Sequence, residues 1–74
     1  MSEWSDKLAR LATLRKLDTG THFQDMAEEI GINSITFGNL MKGKVKKPQR
    51  LIAKNVAKYF NNEITMRDMG YDNE

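Results

Sequence analysis

The chain is poor in the residues that build disulfides, metal sites and membrane spans. Its 74 residues include no cysteine and a single histidine, His22. Without thiolates, neither a disulfide framework nor a zinc site is expected, and no metal or other cofactor is predicted. No apolar run approaches the ~18 residues of a membrane helix, and the charged N-terminus lacks the apolar segment of a signal peptide. We therefore expect one cytoplasmic domain, residues 1–74, that does not contact a membrane.

Catalytic side chains are equally sparse. His22 follows Thr21 near a predicted helix start, with no nucleophile and acid in a matching pattern around it. A nucleophile needs a neighbouring base to be activated, and no such set is visible. We expect no enzymatic activity and no catalytic residue.

Acidic residues are missing from the middle of the chain. Between Gly31 and Asn62 there is no Asp or Glu, although the net charge of the whole chain is only +2. The same stretch carries seven cations: Lys42, Lys44, Lys46, Lys47, Arg50, Lys54 and Lys58. The acids flank it: Asp25, Glu28 and Glu29 before, and Glu63, Asp68, Asp72 and Glu74 after. A short basic run is often only a solvated surface, but this separation predicts one positive face.

Apolar residues recur at helical spacing in several segments, and no alternating β-branched run predicts a strand. The first helix is predicted from about Ser5 to Lys16, with the stripe Trp4, Leu8, Leu11, Ala12 and Leu14. The second is predicted from Thr21, paired with Gln24 in a capping box, to Glu29 or Ile30. The third begins after the N-cap Asn33 and stops at Gly43.

A fourth helix is predicted to begin with Pro48 at its first position. Its apolar stripe is Leu51, Ile52, Val56, Tyr59 and Phe60, and Asn61 and Asn62 end it. Thr65 is expected to cap one last turn, Met66 to Met69, closed by Gly70. The apolar residues of this last segment either cap the core or form a dimer contact: Ile64, Met66, Met69 and Tyr71.

The segment from Phe23 to Lys44 carries the most specific pattern. Ala27 is small where two helices must approach closely, and Gly31 suits a left-handed residue just past the first of them. The apolar contacts of this pair would be Met26, Ile30, Ile32, Phe37 and Leu40. This arrangement predicts a helix-turn-helix, whose second helix is suited to a DNA major groove.

These residues resemble a known family. Gln24-Asp25-Met26-Ala27, Gly31-Ile32 and Leu40-Met41-Lys42-Gly43-Lys44, with Pro48 beyond, are similar to the lambda-repressor/Cro-like helix-turn-helix family, over roughly Leu8 to Phe60. The resemblance implies an all-α, compact bundle of four or five helices. It also implies a transcriptional regulator of a bacterium or its phage that binds double-stranded operator DNA as a dimer.

The resemblance also assigns roles to particular positions. Gln24 would touch a phosphate, and Lys42 and Lys44 would hold the DNA backbone. Lys46 and Lys47 follow directly and extend this contact, since counterion release makes phosphate contacts the main source of affinity. The positions that would face bases are Ser34, Ile35, Thr36 and Asn39. Dimerisation would use the C-terminal segment.

The chain departs from the family pattern in two ways, and the second of them, together with the apolar Ile35, motivates an alternative. Phe37 replaces a small β-branched residue at the inward position of the third helix, and no base-facing position carries Arg, Lys or Gln. Asn39 can still pair with adenine, and Ile35 can touch a thymine methyl group. The alternative is an antirepressor that uses the same fold to bind a repressor protein, with Ile35 as its apolar anchor.

Overall fold

The computed structural model describes residues 3–71, with side chains from Trp4 onward; Asp72 and Glu74 of the acidic flank lie outside this range. Four helices follow one another: α1 Glu3–Thr19, α2 Phe23–Ile30, α3 Ser34–Met41 and α4 Arg50–Tyr59. A single turn over residues 66–70 comes last, and no strand occurs within the described range. The prediction of an all-α bundle is confirmed.

One apolar core holds the helices together. Helix α3 packs against α1 and α2, and α2 also packs against α4. The buried apolar residues are Trp4, Leu8, Ala12, Met26, Ala27, Ile30, Phe37, Leu40, Ala53, Val56, Ala57, Phe60, Ile64 and Met69. The large Phe37 is fully buried and meets Phe23 edge to face, with ring centres 6.5 Å apart. The core thus accommodates the bulky inward residue of α3.

The connection between α2 and α3 has the predicted chemistry. Gly31 is left-handed, with φ +97°, and its N–H donates to the carbonyl of Ala27 (2.9 Å). The N–H of Ile32 donates to the same carbonyl, also at 2.9 Å, which closes α2. Ala27 is fully buried. Two helices joined by a three-residue turn are therefore present where the sequence predicted them.

Two predicted apolar stripes were wrong in one residue each. Leu14 is 56% exposed. An α-helix turns by about 100° per residue, so Leu14 points some 120° away from Leu8, which is buried in the core. Leu51 is 69% exposed, because it lies about 160° around α4 from the buried Ala53. Both leucines follow helical spacing but fall outside the arc that the core covers.

Two helix starts were also predicted wrongly. The hydroxyl of Thr21 contacts that of Thr19 (2.7 Å) instead of capping α2, whose N-cap is His22 without a side-chain hydrogen bond. The predicted capping box with Gln24 therefore does not form. Pro48 is buried before α4, whose N-cap is Gln49. Pro48 instead ends the preceding loop.

The C-terminal segment closes the core. Ile64 and Met69 are fully buried, while Met66 and Tyr71 are half-buried against the core. The N–H of Thr65 donates to the Asp68 carboxylate (2.9 Å), and the N–H of Asp68 donates to the Thr65 hydroxyl (3.2 Å). Thr65 thus caps the last turn as predicted. Of the two roles open to this segment, Ile64 and Met69 have the core role.

Candidate nucleic-acid interface

The start of α3 fixes which side chains face outward. The N-cap Asn33 has extended backbone, and its Oδ1 accepts a hydrogen bond from the Thr36 N–H (2.7 Å). Because Phe37 and Leu40 take the buried side, Ser34 is exposed and Ile35 is 75% exposed. The remaining base-facing candidates, Thr36 and Asn39, are half-buried. All four candidates therefore have at least part of their surface in solvent.

Gln24, the predicted phosphate contact on α2, is also exposed. It lies in the first turn of that helix, and the buried Met26 and Ala27 follow it on the core side. His22, just before the helix, is exposed as well. The backbone N–H groups of this first turn have no side-chain cap.

The end of α3 leads directly into the lysines. Gly43 is left-handed, with φ +75°, and the N–H of Lys44 reaches back to the carbonyl of Asn39 (3.0 Å). A Cβ on Gly43 would come within 3.1 Å of the Ser5 hydroxyl oxygen on α1. Glycine therefore serves twice here: it turns the chain and lets it pass close to the N-terminal end of α1.

The segment 42–47, called the basic loop below, carries four exposed lysines: Lys42, Lys44, Lys46 and Lys47. Its far end is held by the C-terminal turn. The Tyr71 hydroxyl donates to the carbonyl of Pro48 (2.6 Å), and the Lys47 ammonium lies 4.4 Å from the centre of the Tyr71 ring. The carbons of the Lys47 side chain also pass beside Gly70. The far end of the basic loop is thus held by Tyr71, while its start passes close to Ser5.

Sequence reasoning did not assign Tyr71 to this site. Tyr71 and Pro48 are 23 residues apart, and no local pattern joins them. The sequence offered only a weak signal for this contact: Tyr71 is an aromatic residue directly after Gly70, the predicted end of the last turn.

A separate polar cluster ties three helices together. The Arg15 Nε on α1 donates to the Tyr59 hydroxyl on α4 (2.9 Å), which donates to a carboxylate oxygen of Glu29 on α2 (2.6 Å). The Arg15 guanidinium also covers the Tyr59 ring, 4.3 Å from its centre. Burial, followed by the hydrogen bond to Glu29, raises the pKa of Tyr59 above its ordinary value. The cluster thus fixes Glu29, one of the acidic residues that precede the acid-free stretch, on α2.

Among residues 3–71, no group of His, Cys, Asp or Glu side chains is arranged to hold a metal ion. None of the described helices has the length and apolar character needed to cross a membrane. The candidate site is the outward side of α3 together with the basic loop.

Comparisons of the chain with protein-family models, curated proteins and solved structures gave no match.

Proposed function

We propose that this protein is a small transcriptional regulator that binds double-stranded DNA in the cytoplasm of a bacterial host, in the manner of the lambda-repressor/Cro-like helix-turn-helix family. One observation carries the proposal. The outward side of α3 continues without an intervening acid into four exposed lysines, on a loop whose far end is held by the hydrogen bond from Tyr71 to Pro48. A basic segment beside an exposed helix suits a groove flanked by phosphates.

The proposed roles follow the positions of the side chains. Gln24 and the four lysines of the basic loop would contact phosphates, while Ser34, Ile35, Thr36 and Asn39 would face bases. Asn39 has the only side-chain amide among these four, and an amide can pair with adenine through two hydrogen bonds. Because the base-facing set is modest, phosphate contacts would supply most of the affinity.

The test of the phosphate contacts is a salt titration of DNA binding by fluorescence anisotropy. Lys44→Ala and Lys46→Ala should each weaken binding to specific and random duplexes alike. Each should also flatten the slope of log K against log salt by about one unit. Lys16→Ala is the matched control, because Lys16 is an exposed lysine on α1 whose ammonium lies over Phe23. Equal slopes for all three variants would contradict the proposal.

The test of base recognition starts from a duplex selected from a random pool. Asn39→Ala should cost ~1–3 kcal/mol at one base pair and relax the preference there, with binding to random DNA nearly unchanged. Selection of no preferred duplex by the unmodified protein would leave only non-specific binding and would contradict a role as an operator-specific regulator.

One observation favours the antirepressor as a second candidate. Ile35 is 75% exposed at the start of α3, so its burial by a partner would remove apolar surface from water. A protein partner would bury it, so Ile35→Ala should weaken capture of a repressor from the same genome, whereas Lys44→Ala should not. The opposite pattern, with DNA affinity lost in Lys44→Ala and no repressor captured by the unmodified protein, would reject this candidate.

A further inference from the structure

An open groove lies between α4 and the C-terminal segment, and it shares no residue with the candidate nucleic-acid interface. Its volume is about 640 Å³, within the range of roughly 300–1,000 Å³ that small-molecule sites occupy. We call it the α4 groove. Six of its lining residues provide two cations, two amides and two apolar groups: Lys54, Lys58, Asn61, Asn62, Ala57 and Met66.

The two lysines of the α4 groove stand beside each other. Lys54 and Lys58 are both exposed and four residues apart, so about 6 Å of helix, roughly one turn, separates them on the same side of α4. Within residues 3–71 neither ammonium group has a hydrogen bond or an ion pair. Like charges at this spacing repel each other weakly. An anion between them would remove this repulsion and accept charge-assisted hydrogen bonds from both.

The acidic residues close to the α4 groove face elsewhere. Glu63 lines a different groove. The Asp68 carboxylate is paired with the Lys7 ammonium on α1, at 3.1 Å. Glu29 borders a neighbouring groove together with Lys58, and its carboxylate is bound in the polar cluster described above. The lining of the α4 groove therefore includes two cations and no carboxylate.

Two side-chain amides follow the lysines along the α4 groove. Asn61 and Asn62 come directly after the end of α4, and both are exposed. Within the described part of the chain their amides have no hydrogen-bond partner. An amide carries a donor and an acceptor side by side, as the edge of a nucleobase does. Ala57 and the half-buried Met66 supply apolar surface on which a flat ring can lie.

A ligand that matches all three parts has an anionic end, a flat ring and a polar ring edge. We propose that the α4 groove binds a free nucleoside monophosphate, with the phosphate at Lys54 and Lys58 and the base at Asn61 and Asn62. The charge of a phosphate group, about −1.5 to −2 at neutral pH, matches the two ammonium groups. An acidic peptide fits less well, because it would also place carboxylates beside the uncharged amides. The inference does not depend on DNA binding, which uses other residues.

The first test is an NMR titration of the ¹⁵N-labelled full chain with each of the four 5′-ribonucleoside monophosphates. The side-chain amide signals of Asn61 and Asn62 should shift and saturate with at least one of them. We expect a Kd of roughly 0.1–1 mM, because the lysines are exposed to solvent. Inorganic phosphate and the matching nucleoside each satisfy only one part of the groove and should bind about tenfold more weakly or worse.

Three results of this titration would overturn the proposal. The first is the absence of a saturable shift with any of the four nucleotides. The second is inorganic phosphate binding as tightly as the nucleotide, which would leave only attraction between charges. The third is a tetraglutamate peptide binding more tightly than every nucleotide, which would assign the groove to an acidic protein segment.

The second test uses variants of the two ends of the groove. Replacing both lysines, Lys54→Ala with Lys58→Ala, should weaken nucleotide binding by roughly tenfold, because both charge-assisted contacts are lost. Asn62 has φ 63°, so Asn62→Gly removes the amide and keeps a residue suited to that backbone. This variant should weaken binding of the nucleotide but not of inorganic phosphate. Circular dichroism checks that each variant is folded.

Lys44→Ala is the matched control, because Lys44 is an exposed lysine of the basic loop and does not line the α4 groove. It should bind the nucleotide like the unmodified chain, although its DNA binding should weaken. Unchanged nucleotide affinity in the double lysine variant, or an equal loss in Lys44→Ala, would overturn the proposal. Failure of the proposed DNA contacts would show instead in the salt titration of Lys44→Ala, so the two failures are distinguishable.

Discussion

The same substitution at two glycines should change the stability in opposite directions. Gly31 follows α2 with φ +97°, whereas Gly38 lies inside α3 with helical backbone. A Cβ at either position would meet no other atom within 4 Å. Crowding therefore cannot contribute to either effect, and the backbone conformation alone decides the sign.

The magnitudes follow from conformational preference. Gly31→Ala forces an L-residue into a left-handed region and should cost ~1–2 kcal/mol of unfolding free energy. Gly38→Ala should add ~0.5–1 kcal/mol, because alanine restricts the unfolded chain and favours the helix. For a domain of this size, ~1 kcal/mol shifts Tm by roughly 4–8 °C, so the two variants should differ clearly. Thermal and urea unfolding followed by circular dichroism measures both. A shift of the same sign in both variants would refute the reasoning.

Three further measurements concern the core and the titrating groups. Ala27→Leu should cost ~1–3 kcal/mol in urea unfolding, because Ala27 is fully buried and a larger side chain overpacks the core around it; an unchanged midpoint would show free space there. The Thr65 N–H holds the pKa of Asp68 below its ordinary value of 3.8, so Asp68 stabilises the fold above that pH and loses this effect as the pH falls through the folded-state pKa. Asp68→Ala should therefore unfold with a shallower acid dependence, and an identical pH profile would count against the contact. The pKa of Tyr59 is raised above 10.0, so its stabilisation is present below that pH and is lost as the pH rises through the folded-state pKa; Tyr59→Phe should remove this alkaline decline.

The parts of the fold that local chemistry determines could be predicted from the sequence. The side-chain oxygen of Asn33 caps α3 by accepting a hydrogen bond from the Thr36 N–H, three residues further on. Gly31 ends α2 because glycine readily adopts the left-handed conformation. Asn61 and Asn62 end α4 with φ of 55° and 63°, again as single-residue properties. Each of these features depends on residues that are neighbours in the chain, so the local sequence is sufficient to predict it.

Features that depend on which way a helix faces could not be predicted as well. Leu14 and Leu51 match a helical stripe, but only the packed neighbours decide where the buried arc ends. The contacts of Tyr71 with Pro48 and of Tyr59 with Glu29 join residues 23 and 30 positions apart. Such pairs form only when the helices pack together, so the spacing of residues along the chain does not predict them.

The candidate site also combines features that the local sequence predicts with contacts that it does not. Because Phe37 and Leu40 take the inner side of α3, the sequence predicts that Ile35 and Asn39 lie on the outward side; Ile35 is exposed, whereas Asn39 is half-buried. No motif predicted that Tyr71 holds the far end of the basic loop, at Lys47 and Pro48. The DNA contacts themselves remain predictions for the experiments above.

The hydrogen bond between Tyr71 and Pro48 has a consequence for how the molecule opens. It joins the last turn to the end of the basic loop, so the two segments should open as one cooperative unit in hydrogen exchange. The N–H of Tyr71 donates to Met66 and that of Gly70 to Arg67, so these amides report on the turn. In Tyr71→Phe their exchange should quicken together with that of the loop amide of Lys44, while the amide of Ile32 between α2 and α3 keeps its rate.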